Sequence, residues 1–579
     1  MDASDVPRFD RRFFESGACI SRIGSGALGG KGAGLVRVCQ EVLPTYPEDR
    51  FPYISVSVPR LTVLATDVFD AFMRDNDLWA LALDEHRDDR VAHAFQRADL
   101  PAQHVGDLRA LISSVRTPLA VRSSSLLEDA LDHPFAGVYA TKMIPNNEAE
   151  VDARFRQLTA AIKFVYASTF FAAAKGYIHS VGRDLRDEKM AVVIQEVVGQ
   201  RSGDRFYPCL SVVARSYNFY PTGGARPEDG VVNLALGLGK TIVDGGMTWS
   251  YCPSWPTAPP PFNDIGDLLK NTQTSFWAVH MGRPLMPDPI RETECMVQCP
   301  LADAESDGAL KYLVSTYDAG SDRLNPGLGG RGPRALTFAP LLGSRFIAVK
   351  DTIHHLMRAA HDLLGTAVEL ELAVNLERSD ALPARVGFLQ MRPMMVAGEE
   401  VSVGADEMTA PDVVLASDIV LGNGRREGIT DIVYARPEAF DAGSTPLMAM
   451  ELDAINQNLI RDHRPYLLIG FGRWGTSDPW LGIPVAWGQI SGARVIVEAT
   501  MEGVNPDLSQ GSHFFHNLLS FQILYISVEH DGIYAIDWAW LDRLPAVTTT
   551  RFINHVRARQ PLDIRVDGNQ RRGVVRRRE

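Results

Sequence analysis

Four stretches of this chain set a cation among glycine, hydroxyl or carboxylate residues where an apolar run gives way to a loop. Gly29-Gly30-Lys31-Gly32 closes the run SRIGSGALGGKGAGL. Glycine lets backbone N–H groups approach an anion and an ammonium neutralises it, so the turn suits a phosphate. It lacks the spacing of a P-loop, and taken alone it reads equally well as a structural turn. In LAVRSSS (119–125) a strand-like run ends in Arg122 and three hydroxyls. Arginine offers a forked donor for phosphate, although Arg122 could instead pair with Glu128 and Asp129 just beyond. In LALGLGKTIVDG (234–245) glycines and a lysine again follow an apolar run, with a structural hairpin as the alternative. Glu371 and, farther on, Gln390 and Arg392 offer oxygen ligands for Mg²⁺ and a cation for a transferred phosphoryl group. Phosphoryl transfer needs such a set because its catalysis is chiefly positioning and charge neutralisation.

The elements that must hold these residues alternate. The glycine-rich run leads into the helical periodicity of GLVRVCQEVL and then the β-branched run ISVSVPRLTVLAT. Between residues 117 and 255, PLAVRSS, AVVIQEVV, CLSVVARS and VVNLALG read as strands, with one long helical stretch from Val151 to about Val181. This mixture predicts an α/β or α+β body. SWPTAPPPFND (254–264) is too rich in proline for a helix or a central strand and marks a linker opening an inserted segment at about 256–335. DTIHHLMRAAHDLLG reads as a helix, and AVELELAVNLE with RVGFLQMRPMMV as a strand pair. The alternation in VELELAV puts Glu369 and Glu371 on one strand face and Leu370 and Leu372 on the other. After Val396, residues 397–411 have linker composition, an α/β domain is expected at 412–545, and 546–579 is a basic tail.

Size and charge bound the function. The 579 residues suggest two to four domains, and a net charge of -13 argues against wholesale wrapping of nucleic acid. From Arg551 onward nine arginines face three acids, so this end carries +6 and the rest -19. A solvated basic end contacting the acidic body is preferred over an RNA-binding arm. Six cysteines show no disulfide framework or zinc-finger spacing. The charged N-terminus is unlike a signal peptide and no apolar stretch reaches about 18 residues, so a soluble cytoplasmic protein without membrane contact is expected.

GGKGAGL, LAVRSSSLLEDALDHPFAGVYAT, AVVIQEVV, ALGLGKTIVDG, and VELELAV with LQMRP occur in an order that resembles the nucleotide-binding domain of the pyruvate phosphate dikinase and phosphoenolpyruvate synthase family. Five ordered matches over roughly 390 residues are far more specific than any one of them. The resemblance implies a bilobed ATP-grasp module at 1–396 that clamps ATP and Mg²⁺. It implies that Lys31 and Arg122 contact phosphates, that Gln195, Glu196 and Val197 form the adenine-side hinge, and that Gly237 to Gly239 lie near the nucleotide. Glu371 and Gln390 would hold metal, and Arg392 would meet the terminal phosphates. The family's first acidic metal position is usually Asp; here it is Glu369, one methylene longer. Val212 stands at a usual glycine.

Family enzymes pass the phosphoryl group to a histidine on a swivelling domain and then to an acceptor on a third domain. Only about 180 residues follow Val396, too few for a (β/α)₈ barrel, so conversion of pyruvate by this chain alone is not expected. YLLIGFGRWGTSDPW (466–480) places Arg473 and Asp478 beside glycines, and SQGSHFFHN (509–517) reads as a loop opening a helix. A histidine at a helix N-terminus sits among unsatisfied N–H donors, which suits an anion. The order of elements resembles the swivelling phosphohistidine domain, with His513 as phosphoryl carrier. His513 also reads as an acceptor-site residue or general base, or as a helix cap, and His516 as a substitute for either chemical role. Arg473, Asp478, His516 and Asn517 form a candidate acceptor site, with Arg473 and Asp478 reading equally well as a structural pair and His516 as a packed side chain. ATP-dependent phosphotransfer, directly or through phosphohistidine, to an unidentified small molecule or protein is the expectation; a non-catalytic ATP-sensing subunit is the alternative from another class.

Overall fold

The computed structural model describes residues 6–578 apart from 11, 14–17, 52, 127–136, 181–182, 219–220, 222–224, 245, 259–264, 271, 283–287, 345–346, 377–383, 395–400, 477–478, 502–522 and 569. The chain divides into two compact units, one of residues 1–130, 137–172 and 184–394, the other of 131–136, 173–183 and 395–579.

In the first unit, a five-stranded sheet runs in the order Ile20–Ile23, Leu61–Leu64, Met190–Glu196, Leu119–Ser125, Thr141–Ile144. Behind it, Phe69 and Phe72 of helix Thr66–Asp75 pack on Phe95 of helix Asp88–Arg97 and on Tyr166 and Phe170. The expected helix from Val151 to about Val181 is two helices, Val151–Ser168 in this unit and Ala172–Ser180, which from residue 173 belongs to the second unit, parted at Thr169–Phe171.

A six-stranded sheet runs Trp249–Tyr251, Val231–Ala235, Leu210–Arg215, Val368–Leu376, Ala384–Pro393, Ile54–Ser57. Its strands have one apolar and one polar face, as period-two alternation requires. Val212, Leu370 and Leu372 share a core with Ile353, Leu356, Met357 and Ala360 of helix Val349–Leu364. Those four positions recur at helical spacing, and Gly365 ends the helix in the left-handed region with its N–H on the His361 carbonyl. The segment expected as an insertion is not set apart. Ser275–His280 pairs with Arg205–Tyr207, and Val314–Asp318 centres a three-stranded sheet.

The second unit holds a seven-stranded sheet in the order Ile419–Leu421, Leu524–Val528, Ala493–Ala499, Tyr466–Phe471, Asp431–Ala435, Ile553–Arg557, Ala546–Thr549. The four strands from 524–528 to 431–435 run parallel to one another, and the flanking strands Ile419–Leu421 and Ile553–Arg557 pair with them antiparallel. Two stretches expected outside the domain are built into it. Val403 and Met408 of the expected linker pack with Ala416 and Val574. The expected tail supplies four strands, and its arginines find acids far away in sequence: Arg565 and Arg576 pair with Glu407, Arg576 with Asp412, and Arg577 with Asp537. No helix among the described residues is long and apolar enough to cross a membrane.

Candidate active site

The glycine-rich run is held from both sides. Ser25 N and Gly26 N donate to the Asp67 carboxylate, each at 2.8 Å, and Ala27 N donates to Thr66 Oγ1 at 3.0 Å. Burial pushes the Asp67 carboxyl up, but these donors and the Ser25 hydroxyl outweigh it and hold the group below its ordinary range. The chain then enters helix Gly29–Arg37 through Gly29, whose φ of 71° favours glycine and where a Cβ would collide with the Ser124 carbonyl. Ser124 Oγ closes the turn, accepting from Gly32 N at 3.0 Å and donating to Leu28 O at 2.8 Å. Lys31 is thereby buried against strand Leu119–Ser125, its Nζ 3.4 Å from Ser123 Oγ. The helix also lies against Ala384–Pro393: a Cβ on Gly34 would stand 3.1 Å from Met391 O.

Arg122, one residue before Ser123, reaches from the five-stranded sheet to the six-stranded one. Its Nη1 donates to Leu389 O at 2.8 Å and to Gln195 Oε1 at 3.4 Å, and its Nη2 to Gln390 Oε1 at 2.9 Å and to Glu371 Oε2 at 3.3 Å. Glu371 and Gln390 are cross-strand partners, as are Glu369 and Arg392. Both carboxylates lie on one face, yet their surroundings differ. Glu369 is enclosed: Arg215 Nε donates to its Oε2 at 2.6 Å, Arg392 Nε donates to its Oε1 at 2.8 Å, and Arg392 Nη2 also donates to Oε1. Asn233 extends the polar face, accepting from Arg215 Nη1 at 3.4 Å and donating to Ser250 Oγ at 2.6 Å.

The remaining expected residues of this unit border that face. Gln195, the penultimate residue of strand Met190–Glu196, has a buried side chain; Glu196 N donates to Arg60 O and Val197 N to Pro118 O, both at 2.9 Å. Gly237, at φ 83°, comes so close to the Trp277 carbonyl that a Cβ would stand 2.6 Å from it, and its own carbonyl accepts from Ser211 Oγ at 2.7 Å. Gly239 precedes helix Lys240–Val243 beside the same Ser211. Lys31, Arg122, Gln195, Glu369, Glu371, Gln390 and Arg392 thus form one connected region. Arg215 and Asp67 were missed from sequence. The register of Arg215 opposite Glu369 only exists once the strands pair, and Asp67 stands about 40 residues from the loop it anchors.

Among the described residues no three His, Cys, Asp or Glu side chains cluster as a metal site. Glu371 Oε2 and Gln390 Oε1 nonetheless converge on one nitrogen of Arg122, so these hard oxygens address a common point. In the second unit, Arg473 is buried just past the C-terminal end of strand Tyr466–Phe471, next to Trp474, whose Nε1 donates to Val497 O at 3.0 Å. Asp478, His513, His516 and Asn517 lie outside the described residues.

Residues 25–255 match the family model described as the pyruvate phosphate dikinase AMP/ATP-binding domain. A phosphoenolpyruvate synthase of Aeropyrum pernix is 31% identical over 141 residues, 24% of this chain and 15% of that protein. An uncharacterized phosphotransferase of Bacillus subtilis, YvkC, is 25% identical over 220 residues, 38% of this chain and 22% of that protein. The chain therefore spans less than a quarter of the length of these curated relatives. The family match stops at 255, but strand Val368–Leu376 hydrogen-bonds directly to Leu210–Arg215 inside it, so the Glu369 and Glu371 strand belongs to the same sheet. Residues 25–255 are thus similar to the AMP/ATP-binding domain of pyruvate phosphate dikinase, an ATP-grasp-type module, and sit within a mixed α/β chain.

Proposed function

We propose that this chain is an ATP- and magnesium-dependent phosphotransferase whose nucleotide binds over the polar face of the six-stranded sheet. The observation that carries this reading is the meeting of Arg122 with Glu371, Gln390 and Gln195, beside a lysine buried at a glycine-rich helix start. Lys31, Arg122 and Arg392 bind the triphosphate and offset the charge that spreads over its oxygens during transfer. Glu369 holds Arg392 and Arg215 in place. With both its oxygens engaged by guanidinium groups, it is a poorer metal ligand than its neighbour two residues on. Glu371 and Gln390 would hold magnesium, in keeping with the ion's habit of taking one or two protein oxygens and completing its shell with phosphates and water. The ion supplies charge bridging the terminal phosphates.

For the second unit we propose a role in receiving the phosphoryl group, with His513 as carrier and Arg473, Asp478, His516 and Asn517 at the acceptor. In parallel α/β sheets ligands gather at the carboxyl ends of the strands. Arg473 follows the carboxyl end of Tyr466–Phe471, and His513 lies in the segment that follows Ala493–Ala499 in the chain. The test is incubation of the full chain with β-labelled and γ-labelled ATP and magnesium. Acid-labile label on the protein that disappears in His513→Ala supports the carrier; turnover without it leaves direct transfer; no nucleotide consumption with any amino acid, sugar, organic acid or protein acceptor tried sinks the enzyme reading. AMP as product marks dikinase-type chemistry and ADP simple kinase chemistry.

A further inference from the structure

Arg122 has no N–H to spare on its two terminal nitrogens. Four donors meet four acceptors: Leu389 O, Gln195 Oε1, Gln390 Oε1 and Glu371 Oε2. Two of these acceptors are the oxygens best placed for a divalent ion, and both accept from Nη2, at 2.9 and 3.3 Å. Magnesium needs such oxygens at about 2.0–2.1 Å. A divalent ion and a guanidinium drawing on the same lone pairs repel one another, and each neutralises the negative charge that would attract the other. A phosphate chain changes the balance, since it offers the guanidinium charged, bidentate acceptors in exchange for one carboxylate contact and one amide. The neighbouring Glu369 cannot play this part. Its side chain is 1% exposed and clasped from two sides, whereas Arg122 and Glu371 are 11% and 17% exposed and within reach of an incoming anion.

We propose that Arg122 is an internal counter-cation: before nucleotide binds it occupies the metal-binding oxygens of Glu371 and Gln390, and the triphosphate draws it away, so that the divalent ion enters with or after the nucleotide and not before it. This rests on the reading of the site as an ATP site. Arg122 is then a positioning residue for the metal as well as a ligand of the phosphates. Because linkage is reciprocal, whatever loosens Arg122 from these oxygens raises the affinity for free divalent ion.

Mn²⁺ is the probe, counted as free ion by its paramagnetic resonance signal, on the full chain with and without the non-hydrolysable β,γ-methylene analogue of ATP. Arg122→Gln is expected to bind Mn²⁺ without nucleotide at least about fivefold more tightly than wild type, while its affinity for the analogue falls. Gln195→Leu, which loosens Nη1 and leaves every metal oxygen in place, is expected to shift Mn²⁺ affinity the same way by about twofold, and serves should Arg122→Gln not fold. Wild-type binding of the analogue with Mn²⁺ affinity unchanged or weakened in both variants overturns the proposal and leaves the ATP site standing. No binding of the analogue by wild type overturns the ATP site, and the proposal with it.

Discussion

Glu369 in the first unit and Asp431 in the second are both buried carboxylates ringed by arginines, and they do different work. Asp431 Oδ1 accepts from His555 Nε2 at 2.8 Å and Arg557 Nε at 2.9 Å, and its Oδ2 accepts from Arg464 Nε at 2.8 Å. Two of these partners come from strand Ile553–Arg557, which is laddered to the Asp431 strand, but Arg464 comes from the loop after helix Thr445–Arg461, so through it the cluster also ties down a segment outside the strand ladder. It also stands at the first residue of a parallel strand, the end away from where α/β sheets bind ligands. Glu369 instead links three strands already laddered to each other by main-chain hydrogen bonds. Its ion pairs add little that the ladder lacks; what they fix is the direction of two guanidinium groups on a polar face. A buried carboxylate among arginines is thus a clamp when it joins separate elements and an orienting device when it lies mid-sheet.

The contrast breaks most visibly at Arg392. Arg392→Ala leaves Glu369 with Arg215 and the strand ladder intact, and should lower ATP turnover by about 10²–10³-fold, as loss of one preorganised charge-stabilising donor does. Its thermal unfolding should change less than that of Asp431→Asn. A collapse of folding in Arg392→Ala with turnover per folded molecule preserved would make Glu369 a clamp too.

Asp431→Asn should do the reverse. Removing the buried anion is expected to destabilise the second unit by about 2–3 kcal/mol, at or below the lower end of the range for a broken buried pair because Arg464 and Arg557 are 34% and 40% exposed to water. Nucleotide affinity should stay as in wild type. The pH dependence follows in sign. Burial pushes the Asp431 carboxyl up, but His555, Arg464 and Arg557 pull it well below the ordinary carboxylate range. Its contribution is therefore fully present above the unfolded value of about 3.9 and is lost as pH falls toward the lower folded one. Chemical denaturation from pH 7 to 3 should show an acid limb below about pH 4 that is shallower in Asp431→Asn. An unchanged limb would remove Asp431 from the account.

How much of this was legible in sequence depended on distance along the chain. Glu369 and Glu371 share a face because two-residue alternation is a local property, and Lys31 and Arg122 stand in motifs whose chemistry is written within a few residues. Arg215 was not legible: in CLSVVARS it reads as a polar residue ending a strand, and its partner is 154 residues away. The 546–579 segment reads as a tail because composition counts its arginines without the acids they meet. Glu407, Asp412 and Asp537 lie in stretches that local pattern assigns to a linker or a domain edge. The unit 2 site residues other than Arg473 fall outside the described residues, so their reading stays with the sequence.

A third carboxylate, Asp67, sharpens the comparison, since it orders a site through neutral backbone donors and no arginine. Ser25 N and Gly26 N give it two hydrogen bonds and the Ser25 hydroxyl a third, fixing the run that delivers Lys31. Asp67→Ala strips the acceptor from both N–H groups, and hydrogen bonds to a charged group are worth about 1.5–3 kcal/mol before water replaces part of the loss. Asp67→Asn keeps one carbonyl oxygen and should lose about half as much. Because the affected residues form a loop rather than the core, the effect should appear mainly as weaker nucleotide binding, about tenfold for Asp67→Ala and less for Asp67→Asn, with faster amide exchange across 24–28. Ser124→Ala, which cuts the relay from Gly32 N to Leu28 O on the other side of the same turn, should match the weaker of the two. Equal nucleotide affinity in all three variants would mean that Lys31 is held by its helix alone, and that the orienting role belongs to the Glu369 face without help from the loop.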